Sequence, residues 1–282
     1  MYKFIYGKRF QSQLFTKYDI DFPDEDYFCV NRTSFCVADG VTRDLIGGEV
    51  VPYPQTEEET RYLAEHYPNP SGSFLSSKII ADNFVKYINS QEVLSEEVVF
   101  DAIKRANADV WYINKSRVID YVGEDLYCSV AVGGIIQDEF LYCFGIGDCY
   151  IKTFDQDFNE TFSTFNDHKA AEDFKKNFLV KGLFSWNDPR GRILIRAGLR
   201  NNYIITYEGK KVGYGALTGE ETAMYFVKTY KVPLENVKYI CAYTDGCMQY
   251  FENKEISQKT IQNPDSIKDG GSERTLVIFE KE

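Results

Sequence analysis

Histidine is scarce in this chain: His66 and His168 are the two among 282 residues. A catalytic cysteine wants a histidine base close in space, and both candidates lie in polar segments typical of loops or helix ends, which disfavours a thiol mechanism. The seven cysteines (Cys29, Cys36, Cys128, Cys143, Cys149, Cys241, Cys247) are odd in number, have no C-x-x-C spacing and sit mostly inside apolar, strand-like runs. They read as buried small hydrophobes in a reducing compartment. Long apolar runs are missing too: the longest, near Val130 to Ile136, is far short of the roughly 20 residues a membrane helix needs. The N-terminal residues carry early charge but no apolar core with a small-residue cleavage site, so a cytoplasmic protein is expected. Cations are outnumbered, with 32 Lys and Arg against 43 Asp and Glu, a net charge of −11. Such a field repels phosphate backbones and anionic headgroups, so neither nucleic acid nor a membrane surface is expected as a partner. No G-x-x-x-x-G-K-[ST] loop occurs, and Gly213-Tyr-Gly215 lacks the strand-turn-helix context of a dinucleotide site.

What remains is the composition of an ordinary globular protein: 44% apolar, 16% aromatic and 27% charged residues. The 21 Tyr and 21 Phe, without a basic surface, read as core and strand packing and not as base-stacking platforms. No linker and no repeat of 20 to 50 residues is evident, and strands and helices come in blocks. The expectation is a single α+β domain over residues 1–282 with stacked antiparallel sheets.

Along the chain, Tyr27 to Val30 and Ser34 to Ala38, joined by Asn31-Arg-Thr33, read as a hairpin ending at Asp39-Gly40. Ser71 opens a helix carrying Leu75, Ile79, Ile80, Phe84 and Ile88, and a second runs from about Ser95 to Arg117 with Val99, Ala102, Ile103, Ala106, Val110 and Ile113 on one face. Runs from Tyr127, Phe140 and Tyr150, separated by turn residues, read as a meander of antiparallel strands. Residues 165–202 are polar and mixed, with one helix near His168 to Phe178 and a basic stretch, Arg190-Gly-Arg192 and Arg196 to Arg200, that reads as a solvated loop, the alternative being a flap that meets a phosphorylated partner. Tyr203 to Tyr207 reads as a strand. Thr218-Gly-Glu-Glu221 matches a capping box and predicts a helix through about Tyr230. Val237 to Tyr243 and Thr275 to Phe279 read as buried strands.

Three acidic turn signals fall at the ends of predicted strands: Val37-Ala-Asp39-Gly40, Phe144-Gly-Ile-Gly-Asp148 and Ala242-Tyr-Thr-Asp245-Gly246. A glycine beside a carboxylate lets the backbone turn sharply and offer side-chain and main-chain oxygens to one point, which suits hard cations such as Mg²⁺ or Mn²⁺. Asp-Gly is also the favoured dipeptide of tight hairpin turns, so one alone proves little. Two of them directly after buried apolar strands, with Asp24-Glu25-Asp26 just before the hairpin, favour a site.

In this order the motifs resemble those of the metal-dependent protein phosphatases of type 2C, over nearly the whole chain. Asp24-Glu25-Asp26 is similar to that family's N-terminal acidic motif, Asp39-Gly40 to its first metal-binding Asp-Gly, Gly145-Ile-Gly-Asp148 to its central turn and Asp245-Gly246 to its second Asp-Gly. Gly215-Ala-Leu-Thr-Gly219 resembles a glycine-containing segment of bacterial-type members. The resemblance implies a four-layer α-β-β-α sandwich with two divalent ions, Mg²⁺ or Mn²⁺, in a cleft at one end. Asp39 would bridge both ions, Asp245 would hold the first and the carbonyl of Gly40 the second. Asp26 would act through water and Asp148 would hold a weaker third ion. A metal-bridging hydroxide would attack phosphoserine or phosphothreonine of a protein substrate, with Asp39 and Asp245 indispensable to catalysis.

The chain also departs from the family. Where the last metal-binding aspartate is usual it has Ser272-Glu273-Arg274-Thr275, so Glu273 reaches in, or Asp269 does, or a protein ligand is lost. No cation occupies the usual phosphate-gripping position; Lys17, Arg9 and Arg43 are the substitutes, with Arg43 the substrate-binding candidate. Gln249 and Val41 stand where acidic and histidine side chains occur in relatives. The alternative is therefore a pseudophosphatase that keeps the fold as a binding or regulatory module.

Overall fold

The computed structural model describes residues 1–11, 17–20, 22–41, 54, 56–165, 169–180, 189–203, 205–207, 209–268 and 273–282. Its elements in order are β1 (Tyr2–Phe10), β2 (Tyr27–Asn31), β3 (Ser34–Gly40), α1 (Glu57–His66), α2 (Gly72–Asn89), α3 (Glu96–Asn114), β4 (Ser129–Gln137), β5 (Phe140–Ile146), β6 (Tyr150–Phe154), β7 (Glu160–Ser163), α4 (Lys169–Val180) and α5 (Pro189–Ile193). Then follow a π-helix (Leu194–Leu199), β8 (Ile205–Tyr207), β9 (Lys210–Val212), β10 (Lys228–Pro233), β11 (Tyr239–Tyr243), a 3-10 helix (Asp245–Phe251), α6 (Lys254–Gln262) and β12 (Arg274–Lys281).

Two five-stranded antiparallel sheets form the centre, in the orders β1-β12-β11-β6-β7 and β10-β5-β4-β3-β2. The two-residue period of the strands sorts their side chains into layers. Val37, Val130, Val132 and Cys143 point inward to meet Ile151, Ile240, Ala242, Val277 and Phe279 of the other sheet. Cys36, Ala38, Ala131 and Phe144 point outward onto α2 and α3, whose Ile80, Phe84, Val99, Ile103 and Ala106 cover that face. On the far side Cys241, Tyr243, Leu276 and Ile278 are covered by Cys247 and Phe251 of the 3-10 helix and Ile261 of α6. The result is the α-β-β-α sandwich that the resemblance implied.

Both long helices start as their serines predict. Ser71 Oγ accepts the amide of Phe74 at 3.0 Å and Ser95 Oγ that of Val98 at 3.2 Å, satisfying donors the helix itself leaves unpaired. The hairpin also forms as read, with Arg32 and Thr33 between β2 and β3. Elements with weaker sequence signals, among them β1, α1 and α6, are present as well. α1 has a full capping box, with Thr56 Oγ1 taking the Glu59 amide and Glu59 Oε2 taking that of Thr56.

Two expectations are corrected. β5 and β6 do not continue one meander: the chain leaves the second sheet at Ile146 and enters the first at Tyr150. The helix expected from Thr218 to Tyr230 is a five-residue 3-10 helix, Glu221–Tyr225, followed by strand β10. Thr218 Oγ1 is occupied by the side chains of Glu220 and Asn201 and by the amide of Glu220, so it cannot cap at Glu221. Thr229, Tyr230 and Val232 then pair with β5 along the sheet edge, a tertiary partner outweighing a local signal. Among the described residues no helix is long and apolar enough to cross a membrane.

Candidate metal centre

The hairpin register sets Tyr27 opposite Ala38, which brings Asp26, just before β2, level with Asp39 at the end of β3. Gly40 follows, and a Cβ there would stand 2.7 Å from the Glu25 Cβ and 2.9 Å from the Glu25 carbonyl oxygen. Glycine is what allows the acidic segment to lie against the strand end. Glu25 is itself anchored, accepting the Tyr67 hydroxyl at 2.6 Å and the Ser71 hydroxyl at 2.7 Å.

The other sheet supplies the opposite wall. Tyr243 pairs with Leu276, so Thr244 and Thr275 come level at the ends of β11 and β12. The Thr244 amide donates to the Thr275 carbonyl at 3.1 Å and the Thr275 amide to Thr244 Oγ1 at 2.8 Å. Both hydroxyls then donate to Asp26 Oδ2, at 2.9 and 3.0 Å. Asp26 thus ties the two sheets together at one end of the sandwich. Asp245 opens the 3-10 helix immediately after Thr244. Asp148 sits in the turn where the chain crosses between sheets, a turn made by Gly147 at φ +82, where a Cβ would strike Val130. Left-handed backbone with no room for a side chain admits only glycine.

These carboxylates load one another electrostatically. Burial raises the Asp39 carboxyl well above the usual range, and repulsion from Asp26, Asp245, Asp148 and Glu273 raises it further. Asp26, fully buried, is raised by burial and then by Glu273 and Asp24, against the two threonine hydroxyls. Asp24 is pushed up to about 8, by burial first and then by its hydrogen bond and repulsion with Glu273; Arg9 and the Asp26 amide oppose this. Carboxylates in such company stay ionised together only beside a cation.

The donor set suits a hard divalent ion. Carboxylate oxygens of Asp24, Asp26 and Glu273 lie within 4.8 Å of one another, and Asp26 Oδ1 is buried without a hydrogen-bond partner. Oxygen-only ligands of this kind belong to Mg²⁺, Mn²⁺ or Ca²⁺ chemistry. Of the residues singled out in the sequence, Asp26, Asp39, Gly40, Asp148, Asp245 and Glu273 are drawn to this end of the sandwich. Arg43, Asp269, Ser272 and His168 lie outside the described residues.

Arg9 points at the cluster: Nη1 donates to the Asp26 carbonyl at 3.1 Å and Nε lies 3.5 Å from Asp24 Oδ2. Lys17 instead donates to the hydroxyl of Tyr18. Sequence reasoning missed the bracing role of Thr244 and Thr275, although each is one residue from a motif position. It also took Arg196 and Arg200 for part of a solvated loop. Both are buried on Asp125: Arg200 donates to its two oxygens at 2.6 and 3.1 Å, while Arg196 Nη1 lies 2.8 Å away but off the hydrogen-bond direction. Two guanidiniums on one carboxylate hold the π-helix against the segment leading into β4, and despite burial they keep the Asp125 carboxyl below its ordinary value.

The cysteines are inert by environment. All are free thiols, Cys29 partly exposed and the rest buried. Burial pushes Cys29 and Cys128 up to about 11.

No protein-family profile matches the chain, and no curated protein matches it in sequence. Solved structures do match in shape. Against the serine/threonine phosphatase PstP/Ppp of Mycobacterium tuberculosis the TM-score is 0.54 at 10% identity, covering 100% of this chain and 99% of that one. Against the serine/threonine phosphatase Stp1 of Staphylococcus aureus it is 0.55 at 11% identity, covering 98% and 94%. The catalytic domain of PstP in complex with 2 manganese ions gives 0.53 at 10% identity, covering 99% of each chain. What this chain has in common with these bacterial serine/threonine phosphatases is the fold, along its entire length.

Proposed function

We propose that this chain is a divalent-metal-dependent phosphatase that hydrolyses phosphoserine and phosphothreonine monoesters of protein substrates. The observation that carries the reading is the convergence of Asp26, Asp148, Asp245 and Glu273, from separate stretches of sequence, on the buried Asp39, with one buried Asp26 oxygen that meets no donor. The common fold with serine/threonine phosphatases, one of them solved with 2 manganese ions, supports it. Two ions of Mg²⁺ or Mn²⁺, with a weaker third at Asp148, would supply positive charge against the phosphoryl oxygens and acidify a water.

The chain's own residues do the rest. Asp39 and Asp245 provide the indispensable carboxylates, the Gly40 carbonyl a neutral ligand, and Asp26 a carboxylate locked in rotation by Thr244 and Thr275. Arg43, with Arg9 as the second candidate, would attract the substrate phosphate. The sandwich interior common to both sheets supports reading residues 1–282 as one unit. Free, mostly buried thiols support a cytoplasmic setting, and the net charge of −11 speaks against nucleic-acid or membrane partners.

The test is hydrolysis of an aryl phosphate and of a phosphopeptide in Mn²⁺ against chelator, with Asp245→Asn and Asp39→Asn purified alongside. Turnover that needs metal and disappears in both variants is expected. A folded wild-type protein no more active than its variants would leave the sandwich as a binding module.

A further inference from the structure

We propose that Asp24 is itself a cation ligand, so that Asp24, Asp26 and Glu273 hold a divalent hard cation beside Asp39 and Asp245. The proposal rests on the metal-dependent reading above and adds to it a ligand from outside the strand-end Asp-Gly motifs.

Each of the three carboxylates has one oxygen fixed by donors. Asp24 Oδ1 accepts the Asp26 amide at 3.1 Å, Glu273 Oε2 accepts the Glu25 amide at 2.7 Å, and Asp26 Oδ2 accepts the two threonine hydroxyls. Their rotation is thereby set, and one oxygen of each lies within 4.8 Å of one from both others. Charge is not balanced within this group. Among the described residues the ion pair to it comes from Arg9, a single guanidinium at 3.5 Å whose side chain is 38% exposed. The independent observation is Asp26 Oδ1: its residue is 0% exposed, and that oxygen meets no donor. A buried carboxylate oxygen left without a donor is costly, and a cation at this point satisfies it together with its two neighbours.

The geometry is local. Asp24 and Asp26 are two residues apart on the segment that enters β2, and Glu273 precedes β12. A cation here would cross-link the two sheets at the position where the Asp26–threonine contacts already join them.

Equilibrium Mn²⁺ binding, read from the electron paramagnetic resonance of the free ion, tests this on wild type, Asp24→Asn and Asp245→Asn, with circular dichroism to confirm folding. Asp24→Asn is expected to lose one class of Mn²⁺, its affinity falling about tenfold or more, since even groups that only support ligands cost that much. Asp245→Asn is expected to retain the Asp24-dependent class while losing another. Binding by Asp24→Asn indistinguishable from wild type overturns the proposal, and a loss confined to Asp245→Asn would then leave the phosphatase reading standing. Loss in Asp24→Asn with Asp245→Asn unaffected would keep this site and remove Asp245 from the ligand set. No Mn²⁺ uptake by wild type at millimolar metal overturns both. Should Asp24→Asn not fold, Glu273→Gln removes the same site from the other sheet, and unchanged binding there is equally decisive against it.

Discussion

Asp26 shows how one side chain can join two jobs. Its Oδ2 accepts hydroxyls from Thr244 and Thr275, which are carried by the ends of β11 and β12, while its own backbone leads into β2 of the other sheet. Replacing Thr275 by valine keeps the shape and removes one of these donors. Bonds to a charged acceptor contribute about 1.5–3 kcal/mol each, and part of this is retained through Thr244, so Thr275→Val should cost about 1–2 kcal/mol in urea unfolding with an unchanged m-value. Weaker Mn²⁺ binding should accompany it, because the Asp26 carboxylate then loses a rotational constraint. A variant as stable as wild type and equally tight for metal would mean that Thr244 alone positions Asp26. Thr244 and Thr275 were visible in the sequence only as neighbours of motif positions. Nothing in a local window indicates that two hydroxyls more than 200 residues from Asp26 point at one of its oxygens.

Among the elements, the π-helix at Leu194–Leu199 is the least expected. Its Arg196, with Arg200 just beyond, closes on Asp125, and all three residues are buried at 6%, 5% and 9% exposure. Asp125 lies three residues before Cys128, whose carbonyl accepts the Val41 amide at 3.0 Å just past Gly40. Removing the carboxylate strands two buried cations, so Asp125→Ala should destabilise the protein by about 3–5 kcal/mol, measured by denaturant titration. A loss below about 1 kcal/mol would show that water reaches the guanidiniums and that the ion triad is weakly coupled to folding. The sequence marked this stretch as basic, and a run of arginines usually is a solvated face. Which of them turn inward depended on Asp125, some 70 residues earlier in the chain.

Across the whole molecule, acidic groups gathered at one end of the sandwich make stability depend on pH and metal together. Asp24 rises from 3.8 to about 8, and Asp26 and Asp39 shift the same way. A carboxyl that holds its proton more tightly when folded means that the native state binds more protons than the unfolded chain. Stability of the metal-free protein therefore falls as pH rises above about 4, through the Asp24 value of about 8. Asp125, shifted down, acts oppositely but only below this window. The melting temperature in chelator should accordingly be lower at pH 8 than at pH 5.5, and Mn²⁺ should raise it most at the higher pH, where it replaces protons as the neutralising charge. Melting temperatures in chelator that climb across this range would contradict the clustered-carboxylate arrangement.

By itself the sequence determined what short windows can encode. Serine caps and a 3.6-residue period defined α2 and α3, alternation with a short turn defined the β2–β3 hairpin, and each Asp-Gly pair after an apolar run marked a turn able to offer oxygens to a cation. Those signals act between residues a few positions apart, where chain entropy costs little. Only the tertiary structure decided the rest. Lys228–Pro233 became a strand because β5 offered an edge, Arg196 and Arg200 turned inward because Asp125 was there, and Asp24 met Glu273 because β12 begins beside the entry to β2. Contacts between residues more than 200 positions apart, as from Thr275 to Asp26, leave no periodic trace in the chain and exist only once both sheets have closed on a common core.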